Sequence, residues 1–225
     1  MPFSVTHKSY KSYKSYKTYK SYKTYKTPLH PKNPMITTGI FGGSFNPIHN
    51  GHITLAQQLR EAAGIDEVWL MVSSLNPLKR QSELLDDELR LELARQALAD
   101  IPHIQASDYE FHLPRPSYTW HTLQSLSRDF PDRKFVLMIG GDNWQCFNQW
   151  YRADDILKNY QLIVYPRRGS NISSDVLPDN VTIVEADYLD ISSTDIRRRI
   201  RHGQPIKGLV PDCIVDKVIA SYTLD

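Results

Sequence analysis

One stretch limits the chain more than any other: Gly42-Gly43-Ser44-Phe45-Asn46-Pro47-Ile48-His49-Asn50-Gly51-His52, directly behind a short apolar run, Ile36 to Phe41, that reads as a first strand. A strand that breaks into paired glycines and then opens a helix is the start of a βα unit, and the glycines let a backbone or ligand approach closely. His49 and His52 sit three apart where that helix begins, so both rings can face one side. A phosphate docked there would meet unpaired amide donors, the positive end of a helix dipole and imidazole donors together.

The segments that follow alternate in the same manner. A helix from Ile53 to about Ala63 stops at Gly64, and Val68–Val72 is a second strand. A loop with Asn76-Pro77-Leu78-Lys79 leads to a helix from about Asp86 to Ala99, with Leu89, Leu93 and Ala97 on one face. Ile104–Tyr109 reads as strand three, and the loop to Ser117 enters a helix through Leu126. Phe135–Ile139 is strand four, followed by Gly140-Gly141-Asp142, and Gln161–Tyr165 and Val181–Ala186 are strands five and six. Ile191-Ser192-Ser193-Thr194-Asp195-Ile196-Arg197 opens a helix that ends at Gly203, and a last helix runs from about Asp212 to Ser221 behind Pro211. Strands separated by helices predict an α/β fold with a Rossmann-like, doubly wound parallel sheet, right-handed crossovers and ligands beyond the carboxyl ends of the strands.

Residues 1–34 do not belong to that pattern. From Lys8 to Lys26 a Lys-Ser/Thr-Tyr triplet repeats, with a period that suits neither a strand nor a helical stripe and with no aliphatic core formers. It reads as a disordered extension to a single domain over residues 35–225. As an arm it could meet RNA or an anionic surface through lysine and tyrosine, but Met35 stands immediately before the first strand. The favoured expectation is that the native protein begins there, with the repeat being translated upstream sequence. Eight lysines and no acid lie in residues 1–34, which leaves 19 basic against 25 acidic residues in the remainder. The globular part is therefore mildly acidic, which gives nucleic-acid binding by that part little support.

Of the 225 residues 40% are hydrophobic, enough for one domain with a sizeable core. No apolar run approaches a membrane span, and no secretory signal precedes the first strand. Cys146 and Cys213 lie far apart without metal-ligand spacing, so a reducing cytoplasm is expected and a protein-bound metal centre is not. Oligomeric state is left open by the sequence.

The eleven-residue string resembles the signature of the HxGH nucleotidyltransferase superfamily, whose members join a nucleoside triphosphate to a phosphorylated acceptor and release pyrophosphate. Later segments narrow the resemblance to the nicotinate-nucleotide adenylyltransferases, over roughly Met35 to the C-terminus. It implies that ATP and nicotinate mononucleotide are the substrates and that deamido-NAD is formed. His49 and His52 would stabilise the triphosphate in its transition state, while Gly42, Gly43, Ser44 and Phe45 would carry backbone contacts to nucleotide and acceptor phosphate. Ser193, Thr194 and Arg197 match the family's second phosphate motif, and Lys79, with Asn76 in the same loop, matches its phosphate-binding lysine. Gly140 and Asp142 would approach the adenosine or its ribose. Ser117, Tyr118 and Thr119 resemble the loop that meets the pyridine carboxylate, and Trp150 the ring that stacks on the pyridine. Mg²⁺ is expected to ride mainly on the ATP phosphates and water.

The attacking phosphate oxygen is largely ionised at neutral pH, so such a site needs alignment and positive potential rather than a general base. Leu78 stands where relatives often carry histidine, Gly141 where many carry alanine, and the Glu110 to Arg115 segment departs from the usual acid-to-arginine spacing. Nicotinamide mononucleotide and phosphopantetheine are the alternative acceptors. A non-catalytic nucleotide or RNA binder using the basic arm is the alternative of another class.

Overall fold

A computed structural model describes residues 35–73, 84–167, 177–187 and 189–223. The repeat of residues 1–34 and the expected Asn76 and Lys79 lie outside the described residues. Six strands, β1 (Ile36–Gly43), β2 (Glu67–Val72), β3 (Ile104–Ser107), β4 (Arg133–Gly140), β5 (Gln161–Tyr165) and β6 (Val181–Ile183), form one sheet in the order β3-β2-β1-β4-β5-β6. Every pairing is parallel. This is the doubly wound, Rossmann-like architecture expected from the alternation.

Period-two burial divides the strand side chains between two layers. Phe41, Leu70, Val136, Met138 and Ile163 face one core, with Ile53, Ala56 and Leu59 of α1 (Asn50–Ala62) and Leu91, Leu93 and Ala97 of α2 (Asp87–Leu98). Ile40, Trp69, Met71, Leu137, Ile139, Leu162 and Val164 face the other, against Leu123 and Leu126 of α3 (Thr119–Asp129) and Ile156 of α5 (Ala153–Asn159). A short α4 (Gly141–Gln145) follows β4. The first core is completed by Ile196 and Ile200 of α6 (Ser193–Arg201) and Val218 of α7 (Val215–Tyr222). At Gly39 the sheet needs a glycine, because a Cβ would stand 2.6 Å from Met138 Sδ.

Element boundaries moved where side chains took over from periodicity. Strand β3 stops at Ser107, its last pairing with β2, and Tyr109–His112 form a 3-10 turn instead of continuing the strand. There the Tyr109 hydroxyl donates to Asp129 at 2.6 Å and its ring packs against Phe130. β6 ends at Ile183 rather than Ala186. α1 starts at Asn50, earlier than Ile53, because His49 caps it. α4 and α5 escaped the sequence reading since each is too short to show a periodic stripe. Among the described residues no helix is long and apolar enough to cross a membrane.

β1 lies between β2 and β4, so the loops leaving β1 and β4 depart from neighbouring strands at the point where strand order reverses. A crevice opens beyond the carboxyl ends at such a point. The Gly42–His52 string leaves β1 and the Gly140-Gly141-Asp142 turn leaves the neighbouring β4, so both lie at that edge of the sheet.

Candidate active site

The loop after β1 is held from several directions. The Ser44 carbonyl accepts from Arg90 Nη1 at 2.6 Å, the Asn46 carbonyl from Arg197 Nη1 at 2.8 Å, and the Pro47 carbonyl from Ser193 Oγ at 2.9 Å. The Asn46 side chain accepts from the Leu85 amide at 3.1 Å and from the Tyr222 hydroxyl at 2.6 Å. Asn50 donates its amide to Leu209 and its side chain to Gly208, each at 2.9 Å. Phe45 takes a positive φ of 43° and is buried under the loop. Its ring explains Gly43, where a Cβ would come within 2.9 Å of it, whereas a Cβ on exposed Gly42 would meet no atom of the described residues within 4 Å.

His49 caps α1, and its Nδ1 accepts from the His52 amide at 3.3 Å. A neutral imidazole whose Nδ1 accepts carries its proton on Nε2, which becomes a donor. Burial, reinforced by the positive charge of Arg167, lowers the His49 pKa to about 4, so the ring is neutral at physiological pH. The His52 ring stacks on it at 3.6 Å between centroids, and the Phe45 ring stands perpendicular to His52 at 5.0 Å. Glycine at position 51 suits this packing, as a Cβ there would sit 3.1 Å from the His49 ring, a tight contact.

α6 brings the second phosphate motif to the same place. The Ser192 hydroxyl caps it by accepting from the Asp195 amide at 3.1 Å. Ser193 and Arg197 both dock on the first loop, while Thr194 is exposed at the helix start, 3.5 Å from Arg197 Nη2. The sequence suggested that the Ser193 hydroxyl and the Arg197 guanidinium face phosphate. In this structure both donate to loop carbonyls, so they join the two motifs directly. Arg198 and Arg199 pair with Asp195, as a solvated basic face would.

On the neighbouring strand, buried Gly140 ends β4 where a Cβ would lie 2.5 Å from Asp142 Oδ1 and 2.9 Å from Arg167 Nε. Exposed Asp142 pairs with Arg167 at 3.3 Å, and Arg167 lies over the Tyr165 ring at 5.8 Å. Arg167 was missed from sequence. Its signal was position alone, two residues beyond the carboxyl end of a strand whose neighbours carry the site.

Ser117, Tyr118 and Thr119 lie at the start of α3. Tyr118 is 44% exposed and its ring meets Tyr151 at 4.9 Å, with His121 against both. Trp150, next to Tyr151, is half-buried on Phe147 at 5.2 Å between rings and leans on the second core, so one part packs and another is free. Beneath them Thr122 donates to Glu110 at 2.9 Å, and burial pushes the Glu110 pKa up to about 7. The departure in the Glu110–Arg115 segment resolves into a short turn tied at both ends, by Thr122 to Glu110 and by Asp87 to Arg115.

Residues 40–199 match the cytidylyltransferase-like family. A protein of Bacteroides fragilis named "Probable nicotinate-nucleotide adenylyltransferase" is 46% identical over 182 residues, covering 81% of this chain and 90% of its own. One of the same name from Porphyromonas gingivalis is 42% identical over 185 residues, covering 82% of this chain and 94% of its own. The chain belongs to the nicotinate-nucleotide adenylyltransferase family. A solved Plasmodium falciparum nicotinic acid mononucleotide adenylyltransferase complexed with NaAD shares the fold, with a TM-score of 0.71 at 20% identity over 84% of this chain and 97% of that one.

The family match begins in β1 and ends in α6, so it embraces both phosphate motifs and every contact between them. The fold places the neutral His49 imidazole, with its proton on Nε2, in this stretch beside His52. Arg90 and Tyr222, which hold the loop from behind, carried no motif and emerged only from the structure.

Proposed function

We propose that the protein transfers the adenylyl group of ATP to nicotinate mononucleotide, forming deamido-NAD and pyrophosphate. The observation that supports the reading is the docking of α6 on the loop after β1, where Ser193 and Arg197 bond to the carbonyls of Pro47 and Asn46, just before the stacked His49 and His52. The acceptor phosphate oxygen attacks the α-phosphorus in line with the departing pyrophosphate. His52 and the Nε2 proton of His49 donate to the triphosphate where charge gathers, and Lys79 and Arg197 add positive potential. Gly42 and Gly43, with Ser44 and Phe45, bring the backbone close to the phosphates, while Ser193 and Thr194 sit at the amino end of α6. Gly140 and Asp142 border the adenosine.

On the acceptor side, Trp150 offers a ring face for the pyridine, Ser117, Tyr118 and Thr119 are assigned to its carboxylate, and the sequence motif assigns Asn76 and Lys79 to its phosphate. The donors along the loop suit phosphate rather than a metal cage, so Mg²⁺ would be carried by the ATP phosphates and water and would neutralise the developing charge. A cytoplasmic setting, with residues 1–34 dispensable for turnover, completes the reading. The test is pyrophosphate release by the full-length chain with ATP, Mg²⁺ and each of nicotinate mononucleotide, nicotinamide mononucleotide and phosphopantetheine. Preference for the first is expected. Preference for phosphopantetheine would refute the role of Trp150, and a mutant lacking residues 1–34 should turn over unchanged.

A further inference from the structure

Arg90 is wholly buried yet belongs to no phosphate motif. Its Nε donates to the Leu85 carbonyl at 3.0 Å, Nη1 to Ser44 at 2.6 Å, and Nη2 to Ser73 at 3.0 Å and to Asp87 Oδ1 at 2.5 Å. It therefore ties together the loop after β1, the end of β2 and the entrance to α2. A rigid fork can serve three carbonyls in different directions, which one ammonium cannot. A buried guanidinium also needs a counter-charge, and Asp87 supplies it. The other oxygen of that carboxylate, Oδ2, accepts from Arg115 Nη2 at 3.0 Å, and Arg115 lies two residues before Ser117.

We propose that Asp87 is a shared bracket that sets the acceptor loop in register with the triphosphate loop, with Arg90 and Arg115 as positioning residues on its two arms. The inference rests on the adenylyl-transfer reading, because in-line attack requires the acceptor phosphate to be placed accurately against the α-phosphorus. An error of about 1 Å in such placement can cost on the order of a hundred-fold in rate. None of the three residues needs to touch substrate. The Arg90 arm is sealed in the protein, whereas the Arg115 side chain is 57% exposed, so the acceptor arm can be cut without removing the phosphate arm.

The experiment is steady-state kinetics of the full-length chain and its Arg115→Met, Arg115→Lys and Arg128→Met variants, the last removing a surface pair with Asp129 that makes no contact with Asp87. Arg115→Met is expected to raise the KM for nicotinate mononucleotide about five- to ten-fold while the KM for ATP stays within about two-fold, with Arg115→Lys recovering most of the loss and Arg128→Met unchanged. Equal shifts in both KM values, or no shift, would overturn the bracket. If the unmodified chain transfers no adenylyl group, the functional reading fails instead, and hydrogen exchange then decides the bracket separately. Arg115→Met should speed exchange across residues 113–122 alone, and Asp87→Asn across both 113–122 and 44–48. Unchanged exchange in these variants would refute it.

Discussion

The loop after β1 and the loop before α3 are both expected to grip substrate, yet they are built in opposite ways. The first has its Ser44, Asn46 and Pro47 carbonyls taken by Arg90, Arg197 and Ser193, with Asn46 Oδ1 accepting from both Leu85 and Tyr222. The second ends in Tyr118, whose exposed ring meets His121 of α3 and Tyr151, and it is anchored by Glu110 and Arg115. Phosphate chemistry rewards donors fixed before the substrate arrives, since no reorganisation is then needed as charge develops. Recognition of the acceptor's ring can be left to side chains that adjust.

The contrast can be broken from the rigid side first. Arg90→Met leaves three loop carbonyls without their donor and should destabilise the fold by about 3 kcal/mol or more, read as a fall in Tm of roughly 6 to 12 °C. On the adjustable side, Glu110 has its pKa raised from 4.5 to about 7, chiefly by burial. Between those values the folded chain holds a proton that the unfolded chain has released, so stability falls as pH rises through that window. Glu110→Gln should remove that slope and gain up to about 3 kcal/mol at pH 8 in denaturant titrations. A flat wild-type profile there would mean that Glu110 is better solvated than its burial implies.

His52→Ala should lower kcat about a hundred-fold at saturating ATP, because its contact is assigned to the transition state. A raised KM with normal kcat would reassign it to ground-state binding. Gly42→Ala should leave Tm within about 1 °C and raise the KM for ATP about ten-fold, since the added methyl meets no atom of the described residues and would stand where the proposed phosphates approach the backbone. Tyr222→Phe is the mildest change, losing one hydrogen bond to Asn46 for about 1 kcal/mol in chemical denaturation.

Much of this was legible in the residues themselves. Alternating strands and helices gave the sheet, since period-two burial at Ile40 and Phe41 or Leu162 and Ile163 is a local property of the backbone. Both motifs were visible as contiguous strings, and they meet through the hydrogen bonds of Arg197 and Ser193 to the Asn46 and Pro47 carbonyls. What stayed hidden was contact across the fold. Arg90 looks like any helix arginine until Ser44 and Ser73 arrive beside it, and Tyr222 lies 176 residues from Asn46. Arg167 had no string around it, and the short α4 and α5 had no stripe.

The Tyr222 contact has a consequence in time as well as in space. Asn46 precedes Tyr222 by 176 residues, so on the ribosome this hydrogen bond can form only after α6 and α7 have been made, whereas the loop that carries Asn46 has long since left the tunnel.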